Sequence, residues 1–288
     1  MAAGCRADTG HRRCVMNQTP RGPDRSCDVG ILFALDVEAD AFERRVADRV
    51  AWRGPGPVFS EGTLAGLRVA WCVSGVGGPA AARAAAIMLD GHRPRRLVSA
   101  GFAGGLDPAV PRGGVVRPGA VTTEQPGTRL PLAMVGAEAT AAGPLVVSVD
   151  TVAATVAQKR ALADRTGAAI VDMETHAIAT VAAKARLPCL AVRVVSDDAT
   201  QTLPAEVAAL ARPQSAFRRI GAVVGALGRR PTVALDLWRL YEHAVVDGRT
   251  LAAELERLCE EIAGGTGVIA GRPAAAPAAR AADRPPTT

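Results

Sequence analysis

AAIVDMETHAIATVAAKARLPCLAVRVVSDDAT, residues 168–200, holds two apolar runs joined by one amphipathic segment, and both runs finish in acidic residues. Thr166 and Gly167 supply a turn signal before the first run, 168–173, whose length and apolar content suit a buried strand. Glu174 opens a helix. In it Ala177, Ile178, Val181, Ala182 and Ala185 share one face, while Thr180 and Lys184 fall away from it. Pro188 stops the helix, and residues 189–195 form a second strand with one internal charge, Arg193, before Ser196, Asp197 and Asp198. The expectation is a strand–helix–strand crossover in a parallel sheet. Ligands bind at the ends of such strands, which would place Glu174, Arg193 and Asp197 at or near one site.

Working outward, residues 28–35 (DVGILFAL) read as a buried strand, followed by a helix over 36–46 that carries Glu38 just past the strand end. Residues 58–65 read as hairpin-like and 68–74 as a strand, leading into Gly75, Val76, Gly77, Gly78 and an Ala-rich helix over 79–89. Gly75, Gly77 and Ala80 satisfy G-x-G-x-x-[GA], but the next strand, 97–100, ends in Gly101 and Phe102 rather than in the acid that would hold a dinucleotide's ribose. Three readings stay open at this turn. It is a dinucleotide site, a helix N-terminus whose amides face an anion, or simply a turn that needs positive φ. Further strands are expected over 113–123 and 144–149. A helix is expected over 155–166 with Lys159, Arg160 and Arg165 outward. More helices follow over 204–210, 215–227 and 233–262, the last broken near Pro231 and at Gly248, with a stripe of Trp238, Leu240, Tyr241 and Val245.

The 288 residues are 49% hydrophobic and 3% aromatic, enough apolar content for one sizeable α/β core. The formal charge of +6 sits mostly at the ends. Residues 1–27 carry five Arg against two Asp, and residues 264–288 three Arg against one Asp, so the middle is close to neutral. That leaves no basic stripe for nucleic acid and no polybasic membrane segment. Both ends are Pro/Gly-punctuated and aperiodic and are expected to be disordered tails around one domain, 28–263, whose part 215–263 is a helical extension. The six Cys form no CxxC pair and the four His are scattered, so neither a disulfide framework nor a metal site is expected. No apolar run is long enough for a signal peptide or a membrane span. A reduced, cytoplasmic protein without cofactor follows as the expectation.

Arg193 inside an apolar strand is the least ordinary feature, because a buried guanidinium demands an acidic partner or an anion. Taken singly, Glu38 and Glu174 are first-turn helix acids and Asp197 a cap. Taken together, GILFALDVEADAF, SGVGGPAAARAA, SAGFAGGLDP and VDMETHAIATVAAKARLPCLAVRVVSDDA resemble, in order and over residues 28–202, the nucleoside phosphorylase and nucleosidase superfamily. Within it they are most similar to 5'-methylthioadenosine/S-adenosylhomocysteine nucleosidases, and the helical segment after 215 resembles the hopanoid-associated branch.

The resemblance implies a three-layer α/β/α fold with a mixed, partly closed central sheet plus C-terminal helices, a homodimer, and cleavage of the bond between adenine N9 and ribose C1'. It gives Asp197 the protonation of adenine N7, with Ser196 orienting it. Glu38 is the general base for water, Glu174 the ligand of the ribose hydroxyls, and Arg193 the group that places that water and Glu174. Met173, Gly75, Phe102, Ala103, Gly104 and Val152 would surround the nucleoside. Two positions depart from the pattern: Val152 and its neighbours stand where an aromatic ring stacks on the purine, and Phe102 stands where a small polar residue is common. Water as nucleophile gives a hydrolase of 5'-substituted adenosines. The alternatives are removal of adenine from adenosylhopane, phosphate-dependent cleavage, and a nucleoside-binding protein without turnover.

Overall fold

The computed structural model describes residues 14–16, 26–54, 56–125, 127–135, 143–203 and 233–265, with backbone only for 14–16 and 233–241. The expected helices over 204–210 and 215–227 lie outside these residues, as do the side chains of Trp238, Leu240 and Tyr241. Among these residues twelve strands form one mixed sheet: β1 (Cys14–Met16), β2 (Val29–Phe33), β3 (Ala47–Trp52), β4 (Phe59–Leu64), β5 (Leu67–Val73), β6 (Leu97–Gly105), β7 (Val115–Val116), β8 (Ala120–Thr122), β9 (Leu130–Pro131), β10 (Leu145–Ser148), β11 (Ile170–Asp172) and β12 (Cys189–Asp197). The helices are α1 (Asp36–Glu43), α2 (Gly78–His92), α3 (Val156–Thr166), α4 (Thr175–Lys184) and a long C-terminal α5 (Val233–Ala263).

Strand β6 is the hub. β2 pairs with its first residues in parallel, β12 runs parallel along its whole length, and β11 pairs antiparallel with Gly104 and Gly105 at its end. This three-way sharing bends the sheet partly closed. It also corrects the crossover reading: β11 and β12 both pair with β6, in opposite senses. Arg193 therefore sits in mid-strand, level with Gly101, while Asp197 is level with Gly104. The glycines expected to follow β6 are part of it, because extended glycine still completes ladder hydrogen bonds when neighbours exist on both sides.

Period-two burial on both faces explains the layers. Along β12, Cys189, Ala191 and Val195 face one apolar cluster with Ala81, Ala84, Met88 of α2 and Ile178, Ala182 of α4. Leu190, Val192 and Val194 face the opposite one, with Phe42 of α1 and Leu251, Leu255, Leu258 of α5. A third cluster lies under Leu162 of α3. The three-layer fold expected from the resemblance is the one observed. Strands β3 and β9 were not anticipated, and the segment 1–27 contributes β1, a short apolar stretch paired with β3, and the buried Cys27.

α3 begins as its sequence T-x-x-Q dictates, with Thr155 Oγ1 accepting from Gln158 N at 3.2 Å and Gln158 Oε1 accepting from Thr155 N at 3.0 Å. α5 is unbroken at Gly248. A Cβ there would lie 2.8 Å from the carbonyl oxygen of Val37, so the glycine marks the closest approach of α5 to α1 rather than a break. Gly248→Ala should accordingly destabilise the protein by about 1–3 kcal/mol through overpacking, although helix propensity alone would favour Ala by about 1 kcal/mol. Urea unfolding midpoints check the sign. A more stable variant would mean that α5 does not rest on α1.

Candidate active site

A cavity of about 420 Å³ opens where β6, β11 and β12 meet α1 and α5. Its size is that of a pocket for a small organic molecule. Every sequence-predicted site residue lines it except two: Val76 rather than Gly75 is at the wall, and Arg193 lies behind it. Glu38, Glu174 and Asp197 are thus in one cavity with Met173, Ser196, Phe102, Ala103, Gly104 and Val152.

Glu38 enters from the third position of α1 and is 3% exposed. It accepts hydrogen bonds from the backbone N–H of Ala34 and Leu35, both at 2.9 Å, and of Phe102 at 2.8 Å. A Cβ on Gly101 would stand 2.6 Å from its Oε1, so the carboxylate depends on the bare backbone of β6. Burial pushes its pKa above the ordinary carboxyl range, against the three amides and the nearby Arg193.

Glu174 precedes α4 and accepts the N–H of Gly77 at 2.6 Å. Gly75 and Gly77 have φ of 84° and 97°, so the glycine turn needs positive φ, and the anion facing this helix N-terminus is a carboxylate of the chain itself. Burial and then the Asp172 carboxylate push Glu174 up to about 7, opposed by Gly77 and Arg193.

Arg193 has the acidic partner that its burial demanded. Its Nε and Nη2 donate to Asp172 Oδ2 at 3.0 and 2.6 Å, and Nη2 also reaches Ser99 Oγ and Thr175 Oγ1, both at 2.7 Å. Ser148 Oγ donates to the other oxygen of Asp172 at 2.5 Å. Burial works against the guanidinium's charge, but Asp172, Glu174 and Glu38 carry its pKa above the ordinary value.

A bulge between Val195 and Asp197 breaks the alternation of β12, which lets adjacent Ser196 and Asp197 face the same cavity. Asp197 is 5% exposed. Ser196 Oγ donates to its Oδ1 at 2.8 Å, and the ammonium of Lys159 lies 2.5 Å from its Oδ2. Burial raises its pKa, against the pull of Lys159 and Ser196. Lys159, expected outward, is buried instead. It shares a helix face with Leu162, three residues on, and that spacing was the available signal.

Residues not anticipated from sequence form the far wall. Arg112 donates from Nε to the carbonyl of Ser196 at 3.0 Å and from Nη2 to Asp247 of α5 at 2.9 Å. His243, Ala244 and Asp247 of α5 line the same cavity. His176 lies outside it, with Nε2 3.0 Å from the carbonyl of Thr128. Among the described residues no group of three or more His, Cys, Asp or Glu side chains is placed to hold a metal ion, and no helix is long and apolar enough to cross a membrane.

Fold and site together define an α/β protein with a buried, acid-lined pocket beside its central sheet. The chain belongs to the phosphorylase superfamily, whose family model matches residues 28–130 and 139–224. It is 34% identical over 88 residues to a 5'-methylthioadenosine/S-adenosylhomocysteine nucleosidase of Tolumonas auensis, an alignment that takes in 31% of this chain and 38% of that relative. Its fold is similar to that of the Helicobacter pylori 5'-methylthioadenosine/S-adenosylhomocysteine nucleosidase solved with a pyrrolidinol ligand, with a TM-score of 0.62, 17% identity, and 83% and 100% of the two chains covered. The futalosine hydrolase of the same organism is equally similar in fold, with a TM-score of 0.62, 16% identity, and coverage of 82% and 98%.

Because the folded-state pKa of Glu174 lies near 7 against 4.5 for the free side chain, its protonated form favours folding. That contribution is complete below pH 4.5 and is lost as the pH rises through 7. Glu174→Gln, which keeps an acceptor for Gly77, should match the wild type in stability at pH 4 and exceed it by about 1–3 kcal/mol at pH 8. Denaturant unfolding at the two pH values measures this. An equal difference at both would mean that Glu174 titrates as a free carboxyl.

Proposed function

We propose that this protein hydrolyses the N-glycosidic bond of a 5'-substituted adenosine, 5'-methylthioadenosine or S-adenosylhomocysteine, and releases adenine. The observation that carries the reading is the division of labour among three carboxyls in one cavity. Glu38, Glu174 and Asp197 are each buried, yet each is held by different partners: three amides, one amide beside Asp172, and a Ser–Lys pair.

Glycosidic cleavage needs an acid on the leaving base, a base on the incoming water and a partner for the sugar hydroxyls as cationic charge grows on the ring. Asp197 donates its proton to adenine N7, so that the base leaves neutral, and Ser196 fixes the carboxyl's rotation. Glu38, with its pKa raised by burial, takes the proton of the attacking water. Glu174 accepts from the ribose hydroxyls. Arg193 acts from behind the wall, its guanidinium opposing the mutual repulsion of Glu38 and Glu174. Phe102 and Val152 supply apolar wall beside the nucleoside.

Water rather than phosphate is the nucleophile on this reading. The Gly77 amide at the glycine turn is taken by Glu174, and Arg193 is engaged by Asp172, Ser99 and Thr175, so a phosphate there would meet carboxylates instead of free donors. On this reading the enzyme acts in nucleoside catabolism and methionine salvage, as a homodimer by the resemblance and in the cytoplasm by the cysteine usage, and its mass in solution decides the oligomer.

Incubation with 5'-methylthioadenosine, S-adenosylhomocysteine, adenosine and inosine, with and without phosphate, tests substrate and nucleophile together by chromatography of the products. Adenine and a free sugar should accumulate without phosphate. A strict phosphate requirement and a sugar 1-phosphate product would replace hydrolysis by phosphorolysis.

Asp197→Asn retains the shape but has no proton to give, and should lower kcat by about 10²- to 10⁴-fold with a smaller change in KM. Asp198→Asn is the control. Asp198 Oδ1 is occupied by the N–H and hydroxyl of Thr200 at 2.9 and 2.7 Å, and the residue is not part of the cavity wall. If the Asp198 variant were the inactive one, the assignment of the acid would be wrong.

A further inference from the structure

Lys159 is the cation closest to Asp197, and the reaction as written gives it no task. Its side chain is 1% exposed, so the ammonium as well as the aliphatic stem is out of water. Three acceptors surround Nζ: Asp197 Oδ2 at 2.5 Å, the carbonyl of Asp198 at 2.5 Å and the carbonyl of Gln201 at 3.0 Å. The two carbonyls accept hydrogen bonds from the ammonium, and Asp197 Oδ2 is its ion-pair partner, with no hydrogen bond of its own. The two carbonyls belong to the turn just beyond β12, so one side chain on α3 ties down both the acid and the backbone that follows it.

Ser196 donates to Oδ1 of Asp197, Asp198 is the adjacent acid on the same strand, and β6 presents only Gly104, where a Cβ would come within 3.3 Å of Oδ2. Glu38 and Glu174, with Arg112, His243 and Asp247 of the far wall, share the cavity. Burial raises the pKa of Asp197, and the ion pair with Lys159 is the strongest influence against it.

Building on the nucleosidase reading, we infer that Lys159 is a positioning residue that aims Asp197 at the leaving base and stabilises the carboxylate formed when Asp197 gives up its proton. In the step, the O–H bond of Asp197 breaks, the N7–H bond forms, and the electron pair of the C1'–N9 bond passes to the purine. Lys159 keeps all three of its protons. An acid buried without a counter-cation is weak, because its conjugate base is poorly solvated. A fixed ammonium at contact distance strengthens it where water is excluded.

The test uses the full chain and the variants Lys159→Met, Lys159→Gln, Lys159→Arg, Asp197→Asn and Lys159→Met with Asp197→Asn. Lys159→Met should lower kcat about 10- to 100-fold with KM changed little. It should also move the high-pH limb of the kcat profile upward by about one unit or more, since an unpaired buried acid loses its proton later. Lys159→Arg should restore part of both effects, and Lys159→Gln gives the same two readouts if the Met variant does not fold. In the Asp197→Asn background the Lys159→Met change should add almost nothing to the loss of turnover. An unmoved pH limb, or a full additional loss in that background, would overturn the inference.

Carboxyl ¹³C resonances of the unliganded protein report without turnover, the Asp197 signal being the one missing from Asp197→Asn. It should titrate at higher pH in Lys159→Met than in the wild type. If that shift is seen while no nucleoside is cleaved, the nucleosidase reading fails and the Lys159–Asp197 coupling stands. If nucleosides are cleaved but neither the resonance nor the limb moves, the role of Lys159 fails alone.

Discussion

One buried guanidinium holds the site in register. Arg193 stands in the middle of β12 with 2% of its side chain exposed, and its donors reach Asp172 at the end of β11, Ser99 on β6 and Thr175 at the start of α4. Three consecutive elements, β11, α4 and β12, and the distant β6 are thus fixed to one planar group. A buried charge with its partner removed is costly, so any packing that separates these elements is strongly disfavoured. Glu174 sits between Asp172 and Thr175, so the same network sets where that carboxylate projects.

The network also explains how three carboxyls can share a small apolar cavity. Burial raises the pKa of each, and each is opposed by a different set of partners. Amides satisfy Glu38, a helix N-terminus satisfies Glu174, and a Ser–Lys pair satisfies Asp197, while Arg193 acts on the first two through space. Separate environments, rather than separate residue types, distinguish their proton affinities.

Much of this was legible in the sequence where the signal was local. The strands around Ile31 and Val192 read correctly because both faces of each are apolar, and the acids at 38, 174 and 197 were found because each follows an apolar run. Arg193 announced a partner, but nothing in the chain named Asp172, which looked like the tail of a strand. Contacts made across more than a hundred residues left no local trace. Gly248 read as a helix break because propensity is local, whereas its reason, the carbonyl of Val37, lies on another helix. Lys159 read as solvent-facing because a Lys on an amphipathic helix ordinarily is, and the acid that buries it is 38 residues away.

The far wall shows why the C-terminal helix is part of the site rather than an appendage. Arg112 bridges the carbonyl of Ser196 and the carboxylate of Asp247, joining the strand end that carries Asp197 to α5. Arg117 donates to Glu254 at 2.6 Å and to Glu261 at 2.7 Å, two and four turns further along the same face. The strip of α5 beside this acidic row supplies Leu251, Leu255 and Leu258 to the core, so the helix cannot shift without exposing apolar surface. Asp247, 2% exposed, has its carboxyl pKa raised by burial and opposed by Arg112. Its place at the cavity wall follows from both constraints at once: the apolar stripe sets the rotation of α5, and the two arginines set its position along the axis.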